Sequence, residues 1–305
     1  MKNSRAKTKV SSVTELFSGP SEEHNDQATS LVYLNTFEEQ AKEYIRDAGK
    51  YKGIHTGYQY MDWLIGSFLP GEVFTIGGDT GHGKSLLAMN IAQNVYAKYQ
   101  QPVLFINLEL TVEQAVQRFY HLSGDDHDYA GIMTQQVGPE QDFDYKDVAP
   151  IMAKAKEEGV CLVVVDHLHF FDGAIGDNAA SAITKLMRHV KRQAVKYELP
   201  VIMLSHVTPQ TKLTKDGLET VKPDLHSFKN SKSIEQLSDL VGFVWREQDD
   251  TSRVEFYIRK NRSRPLIKDS MYFDQVGWAL KEDKVWVPKN YPPSGVSSQA
   301  PGTLL

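Results

Sequence analysis

Residues Gly77 to Ser85 read Gly-Gly-Asp-Thr-Gly-His-Gly-Lys-Ser. This stretch follows a β-prone run, residues 72–76, and precedes residues 86–99, whose apolar positions recur at helical spacing. Counted from Gly78, four residues intervene before Gly83-Lys84-Ser85, which matches G-x-x-x-x-G-K-[ST]. The order strand, glycine-rich loop, helix predicts a loop that wraps phosphate groups with its backbone N–H groups.

This loop predicts a nucleotide site. Lys84 is expected to contact the β- and γ-phosphates, and the Ser85 hydroxyl is expected to bind Mg²⁺. The cofactors predicted are therefore ATP, or another NTP or dNTP, together with Mg²⁺. The alternative is a glycine-rich turn with a chance lysine, which the flanking strand and helix disfavour. The residues predicted to bind the nucleotide are Gly78, Asp79, Thr80, Gly81, His82, Gly83, Lys84 and Ser85.

Composition limits the class of protein. The chain has 305 residues, of which 41% are hydrophobic and 24% charged, so it can form one large globular domain with tails or two small domains. The formal net charge of −5 decides nothing about nucleic acid, because a local basic channel would not show in the sum. One cysteine, Cys161, permits no internal disulfide, and no long apolar segment is present. These features predict a cytoplasmic protein with no membrane contact.

Four regions are predicted along the chain. Residues 1–30 and 288–305 are polar or rich in proline, serine and glycine, and we expect disordered tails there. Residues 31–50 contain a linker helix, because Thr36 and Glu39 have capping-box spacing and an apolar stripe follows up to Ala48. That stripe can pack on its own domain or on a neighbouring subunit. Residues 51–287 form the ATPase domain.

Strands and helices alternate through the ATPase domain. This alternation predicts an α/β fold with a mostly parallel central sheet covered on both faces, with ligand sites at the carboxyl ends of the strands. The predicted strands are 72–77, 103–108, 160–165, 201–205, 240–245 and 254–259, and the predicted helices are 84–99, 112–122, 146–157, 179–197 and 233–238.

Two carboxylates follow predicted strands. Glu109 comes directly after the second strand, where it can orient and deprotonate the water that attacks the γ-phosphate. The alternative is that Glu109 caps the next helix. Asp166 ends a continuous apolar run, as a Walker B aspartate does, and is expected to hold Mg²⁺ partly through water. The alternative for Asp166 is a cap on the following turn.

Polar residues also follow the fourth strand. His206 can hydrogen-bond the γ-phosphate, or it can be a structural histidine. The segment 207–223 is long for a connection, and Lys212, Lys215 and Lys222 in it suit contacts with the phosphates of single-stranded nucleic acid. His167 and His169 lack partner cysteines, so we do not predict a zinc site from them.

The ordered set of motifs resembles the DnaB-like hexameric replicative helicases, which have a RecA-type core. The resemblance covers roughly residues 50 to 275. Ser205-His206 and the lysine-bearing segment after it look more like the phage primase-helicase and Twinkle branch, which implies a phage origin and the bacterial host cytoplasm. The motifs are Thr56-Gly57-Tyr58, Gly78 to Ser85, Leu108-Glu109, Val164 to Leu168, Ser205-His206, Ser233-Ile234-Glu235-Gln236 with Ser238-Asp239, and Lys260-Asn261-Arg262.

The resemblance implies a homo-hexameric ring that moves 5′ to 3′ on single-stranded DNA and hydrolyses ATP between subunits. It implies that Lys260 and Arg262 reach a neighbour's ATP site, whereas charge alone favours a solvated basic edge. It also adds Lys229, in a DNA-side segment that departs from the family pattern, to the DNA-binding lysines. Residues before 50 leave no room for a primase or collar domain, so a separate primase, polymerase or loader is an expected partner.

Two further functions stay open on sequence alone. One is a RecA-like, ATP-switched protein that binds single-stranded DNA for recombination or loading without unwinding it. The other is an accessory subunit with weak catalytic activity. Filaments in the presence of ATP would favour the first of these, and a closed ring would exclude it.

Overall fold

The structure is a computed structural model that describes residues 53–123, 129–135, 143–168, 179–208, 210–214, 217–228, 232–247 and 250–283. The predicted linker helix, with its start at Thr36, and both predicted tails lie outside these residues. All of the described residues belong to the part of the chain predicted as the ATPase domain.

The described residues form six α-helices and eleven strands, and helices alternate with strands over residues 59–206. The helices are α1 Gln59–Ile65, α2 Lys84–Tyr99, α3 Val112–Ser123, α4 Val148–Glu157, α5 Ala179–Tyr197 and α6 Lys232–Leu237. The strands are β1 Val73–Gly78, β2 Val103–Asn107, β3 Ile132–Met133, β4 Leu162–Asp166, β5 Val201–His206, β6 Gln210–Thr214, β7 Gly217–Val221, β8 Leu240–Glu247, β9 Asp250–Asn261, β10 Ser270–Val276 and β11 Ala279–Glu282. Short 3₁₀ turns cover Tyr145–Asp147 and Leu225–Ser227.

One nine-stranded sheet organises the domain, in the order β11-β10-β9-β8-β1-β5-β4-β2-β3. The six strands from β8 to β3 run parallel, and β9, β10 and β11 continue the sheet antiparallel. Strands β1, β2 and β4 are buried along their whole length, as continuous apolar runs predict for strands covered on both faces. The predicted fold class, a RecA-like mostly parallel sheet, is confirmed.

Each face of the sheet carries its own hydrophobic core. One core packs α1, α2 and Phe119 of α3 against side chains such as Phe74 and Phe105. The other packs α4, α5 and Ile234 of α6 against alternate side chains of the same strands, including Val73 and Val163. Because successive residues of a strand point to opposite faces of the sheet, each continuous apolar strand contributes side chains to both cores.

The structure contains strands that the sequence does not predict, among them the short β3 beside β2. The segment expected to be a polar connection after β5 contains an antiparallel hairpin, β6–β7. Strands β10 and β11 are also absent from the prediction, although Met271 and Phe273 alternate inward and Gly277, with φ of 61°, occupies the turn between them. A glycine turn between alternating residues is a hairpin signal, but the polar residues that share these short strands weaken it.

No helix of the described residues combines the length and the apolar character needed to cross a bilayer.

Candidate active site

The loop from Gly78 to Ser85 leaves the carboxyl end of β1 and enters α2 directly. Gly81 and Gly83 have φ of 79° and 96°, the left-handed region in which a side chain is strained. A Cβ on Gly78 would lie 2.7 Å from Cγ2 of Val244, so the backbone there must pass close to β8. The local glycines therefore permit the curl that turns backbone N–H groups toward a phosphate.

Lys84, the first residue of α2, folds back over the loop. Its side chain is buried, and Nζ donates a hydrogen bond to the Asp79 carbonyl oxygen at 2.8 Å. Burial lowers the pKa of Lys84 to about 8, while the nearby carboxylates of Asp166, Asp79 and Glu109 act in the opposite direction. A desolvated ammonium held in this way is arranged to contact an anion at the mouth of the loop.

Asp166 ends β4 beside the loop. It is 1% exposed, and its Oδ1 has no hydrogen-bond partner among the described residues. Burial raises the pKa of Asp166 to about 6, whereas a hydrogen bond with Ser85 lowers it. An orphaned carboxylate oxygen next to a hydroxyl is a donor set that suits a hard cation such as Mg²⁺, so the residues fit the predicted metal.

Glu109 follows β2, and its side chain is 44% exposed. The neighbouring Leu108 donates its backbone N–H to the Asp166 carbonyl oxygen at 2.8 Å, which fixes the two strand ends together. The alternative role of helix cap falls to Thr111, because Thr111 and Gln114 hydrogen-bond each other's backbone N–H groups. Glu109 is therefore left facing the site.

Two histidines lie between the lysine and the glutamate. Nδ1 of His206 is 3.3 Å from Lys84 Nζ, and Nε2 of His206 is 2.8 Å from Nε2 of His167. His167 is 3% exposed, and its Nε2 is 3.8 Å from Oε2 of Glu109. The sequence analysis assigns no role to His167, and only its position at the end of a strand indicates that it lies near the site. His169 lies outside the described residues.

Lys260 and Arg262 do not approach the phosphate loop of their own chain. Lys260 Nζ donates to the carbonyl oxygens of Glu235 at 2.6 Å and Ser238 at 2.7 Å, at the end of α6. The backbone N–H of Arg262 donates to the Asp239 carbonyl oxygen. The backbone N–H of Asp239 in turn donates to the carbonyl oxygen of Val73, at the start of β1. The loop begins at the other end of β1, five residues or about 16 Å away along the strand.

The structure describes two of the four lysines predicted to bind DNA, and they differ in whether an ion pair neutralises the charge. Lys212 is exposed on β6, in the hairpin that follows the strand ending in His206. Lys222 forms an ion pair with Glu255 of β9, so its charge is already matched. Lys215 and Lys229 lie outside the described residues.

Comparison with known proteins gives matches over the same region. Residues 49–211 match the AAA domain family. The chain is 25% identical over 266 residues to the replicative DNA helicase DnaB of Geobacillus stearothermophilus, an alignment that spans 77% of this chain and 57% of the relative. The chain thus spans little more than half the length of that helicase.

Solved structures share the fold. A DnaB-like replicative helicase, solved in a study of its interactions with primase, superimposes with a TM-score of 0.66 and 17% identity over 82% of this chain and 67% of that chain. A separately solved ATPase domain superimposes with a TM-score of 0.66 and 19% identity over 80% of this chain and 96% of that domain. The fold, the phosphate loop and the sequence match agree, and the chain belongs to the AAA domain family, in which it is similar to the DnaB-like replicative helicases.

Proposed function

We propose that this chain is the motor domain of an ATP-dependent replicative DNA helicase. The observation that carries the proposal is the convergence of Lys84, Ser85, Asp166 and Glu109 at the carboxyl edge of one parallel sheet, within a chain similar to replicative helicases. A phosphate loop alone would support any nucleotide-binding protein. An exposed glutamate beside a buried aspartate adds the groups that hydrolysis needs.

In the proposed reaction, Lys84 and the loop N–H groups hold the β- and γ-phosphates, and Glu109 orients and deprotonates the attacking water. Ser85 and Asp166 are the residues that would hold Mg²⁺, which neutralises charge on the phosphate oxygens when bound. His206 is proposed to contact the γ-phosphate, since its Nδ1 already lies beside the Lys84 ammonium.

We further propose that the site is completed by a second copy of the chain in a hexameric ring. The support is the placement of Lys260 and Arg262, which lie too far from their own phosphate loop to act there. An arginine that enters a neighbour's site can stabilise the charge that develops on the transferred phosphoryl group. In a head-to-tail arrangement of subunits, each copy contributes its arginine to the site of one neighbour, and its own site is completed by the arginine of the other neighbour.

Single-stranded DNA is the proposed track. The β6–β7 hairpin follows directly after the strand that ends in His206. A movement of His206 at the phosphate site can therefore shift the hairpin that carries Lys212. Contacts of this kind would be independent of sequence and sensitive to salt. Movement 5′ to 3′, a phage origin, a host-cytoplasmic location and a separate primase, polymerase or loader as partner are part of the same proposal and come from the resemblance.

The experiment is a paired assay of the purified chain. ATP hydrolysis with and without oligo-dT is measured first, followed by unwinding of a forked duplex with a 5′ tail or a 3′ tail. The proposal expects hydrolysis stimulated by oligo-dT and unwinding that requires the 5′ tail. Absence of both activities at low salt would contradict it, and hydrolysis with filaments but no unwinding would favour the RecA-like alternative.

A further inference from the structure

We infer that Asn261 is a positioning residue for Arg262, the arginine proposed above to act in the site of a neighbouring copy. The side-chain amide of Asn261 fixes the end of β9 to the end of α1, so that the arginine projects from a rigid base. The inference rests on the shared ATPase site of the proposed function. It assigns a task to a side chain for which the sequence alone indicates none.

The amide of Asn261 makes two hydrogen bonds. Nδ2 donates to the carbonyl oxygen of Ile65, the last residue of α1, at 3.2 Å, and Oδ1 accepts from the backbone N–H of Arg264 at 3.0 Å. The last carbonyl groups of a helix have no partner inside the helix, so the Ile65 oxygen needs a donor from elsewhere. Because an amide group can donate and accept at once, it can join a helix end to a turn.

A second contact holds the residue on the other side of Arg262. The Ser263 hydroxyl donates to Oε1 of Glu72, a buried carboxylate whose Oε2 accepts the backbone N–H of Leu69 at 2.9 Å. Glu72 and Leu69 belong to the connection between α1 and β1, which begins where the Asn261 contact ends. The two chain neighbours of Arg262 are therefore both tied to the same part of the domain.

The backbone of Arg262 is thus fixed, whereas its side chain is exposed. Strand β9 ends at Asn261, and just beyond it the Arg262 backbone N–H donates to the Asp239 carbonyl oxygen at 2.9 Å. The guanidinium contacts the Asp239 carboxylate and the Gln236 carbonyl oxygen at the domain surface. A long side chain reaches a defined point in another subunit only if its base is held, since a shift of the base also moves the guanidinium.

A role of Asn261 in folding alone is the competing explanation. Asn94 on α2 offers a direct comparison, because its Nδ2 also donates to a backbone carbonyl oxygen, that of Thr56, at 3.2 Å. Thr56 precedes α1, so this contact lies at the opposite end of the helix from the Asn261 contact. If amide-to-carbonyl bonds beside α1 stabilise only the fold, Asn94→Ala and Asn261→Ala should affect activity alike.

The first measurement compares kcat for oligo-dT-stimulated ATP hydrolysis with the Kd of a fluorescent ATP analogue. Asn261→Ala is expected to lower kcat by about 10²-fold, the cost of misplacing a catalytic group by about 1 Å, while Kd stays within about twofold. Asn94→Ala is the matched control and is expected to keep kcat near wild type. Ser263→Ala, an exposed change that leaves the Asn261 bonds in place, is expected to lower kcat by about tenfold and carries the test if Asn261→Ala does not fold.

The second measurement mixes variant chains, because a displaced arginine affects only the neighbour's site. An Asn261→Ala copy still supplies an intact Glu109, and a Glu109→Gln copy still supplies a correctly placed Arg262. In equal proportions about one interface in four is then intact, and hydrolysis is expected to return to roughly a quarter of wild type. Asn261→Ala mixed with Arg262→Ala is expected to gain nothing over Asn261→Ala alone, because both chains lack a correctly placed arginine.

Three results would each overturn the inference. They are an Asn261→Ala enzyme within about threefold of wild-type kcat, equal losses in Asn261→Ala and Asn94→Ala, and a mixture of Asn261→Ala with Glu109→Gln that gains no activity. An Arg262→Ala enzyme with wild-type turnover would instead show that the shared site is wrong. A wild-type chain without ATPase activity would overturn the proposed function, and the inference with it.

Discussion

Arg262 and Asp239 form an ion pair, with 3.1 Å between Nη1 and Oδ1, at the end of the sheet remote from the phosphate loop. Asp239 is buried and also pairs with Lys191 at 2.6 Å, whereas the Arg262 side chain is 52% exposed. The aspartate therefore keeps a cationic partner when the arginine moves, and the guanidinium is accessible to a neighbouring molecule. This relationship makes Arg262 suited to act outside its own chain.

Glu109→Gln tests the proposed general base. The amide keeps the shape of the side chain but cannot accept the proton of the attacking water, so we expect kcat for ATP hydrolysis to fall by about 10² to 10⁴-fold with little change in nucleotide affinity. Steady-state hydrolysis and binding of a fluorescent ATP analogue measure the two quantities. Glu113→Gln, an exposed change one helical turn further along, is the control and is expected to stay near wild type. A Glu109→Gln enzyme with wild-type turnover would remove Glu109 from the mechanism.

Asp166→Asn tests the magnesium site. Replacing one carboxylate oxygen with an amide nitrogen removes a ligand for Mg²⁺ but leaves the backbone of the phosphate loop intact. We expect nucleotide affinity in excess EDTA to be unchanged and its increase on addition of Mg²⁺ to be mostly lost. Titration of the fluorescent analogue at a series of Mg²⁺ concentrations measures this. If the Mg²⁺ response is retained in full, the metal is held elsewhere.

The two described lysines of the predicted DNA-binding segment are expected to behave differently. Lys212→Ala removes an exposed charge and should lower affinity for oligo-dT, with the slope of log K against log[salt] falling by about 0.7, the value for one single-strand phosphate contact. Lys222→Ala breaks the ion pair with Glu255, which is 8% exposed, so it should cost about 1–3 kcal/mol of stability and change the salt slope less. Fluorescence anisotropy at several salt concentrations and urea unfolding measure these effects. Equal salt slopes for both variants would contradict the assignment.

The parts of this site that could be predicted are those that depend on residues close together along the chain. The loop from Gly78 to Ser85, and the placing of Glu109 and Asp166 at strand ends, follow from local pattern and from the rule that parallel strands present their carboxyl ends together. The row of side chains from Lys84 through the two histidines to Glu109 also needs the order β1-β5-β4-β2, which no local pattern contains. The same holds for Lys222, because Glu255 comes from a strand 33 residues away.

Stability of the domain should depend on pH through Asp62 in α1. Burial raises the pKa of Asp62 to about 6 from an ordinary value of 3.8, although hydrogen bonds from Thr56 lower it. The folded state thus binds the proton more tightly than the unfolded state does, and the associated stability is full below about pH 4 and is lost as pH rises through about 6.

Asp62→Asn removes this dependence. The amide oxygen can still accept both hydrogen bonds from Thr56, so we expect the variant to gain up to about 3 kcal/mol on wild type between pH 4 and pH 8. Urea unfolding at the two pH values measures the gain. Asp274→Asn, an exposed change on β10, is the control. A stability difference that does not change with pH would show that Asp62 is not the titrating group.

We propose that ATP is hydrolysed between two copies of the chain, with Glu109 from one copy and Arg262 from the other. Glu109→Gln and Arg262→Ala chains are each expected to be inactive, and Arg264→Ala, an exposed change on the same segment, to be active. Where an Arg262→Ala copy supplies Glu109 and a Glu109→Gln copy supplies Arg262, the site between them is intact.

Mixing the two inactive chains is the most direct test. In equal proportions about one interface in four is intact, so we expect ATPase activity to return to roughly a quarter of wild type, with a maximum near equal proportions. Hydrolysis is measured across the full range of mixing ratios, after exchange of subunits. Activity that stays at the level of the two separate variants at every ratio would contradict the shared site.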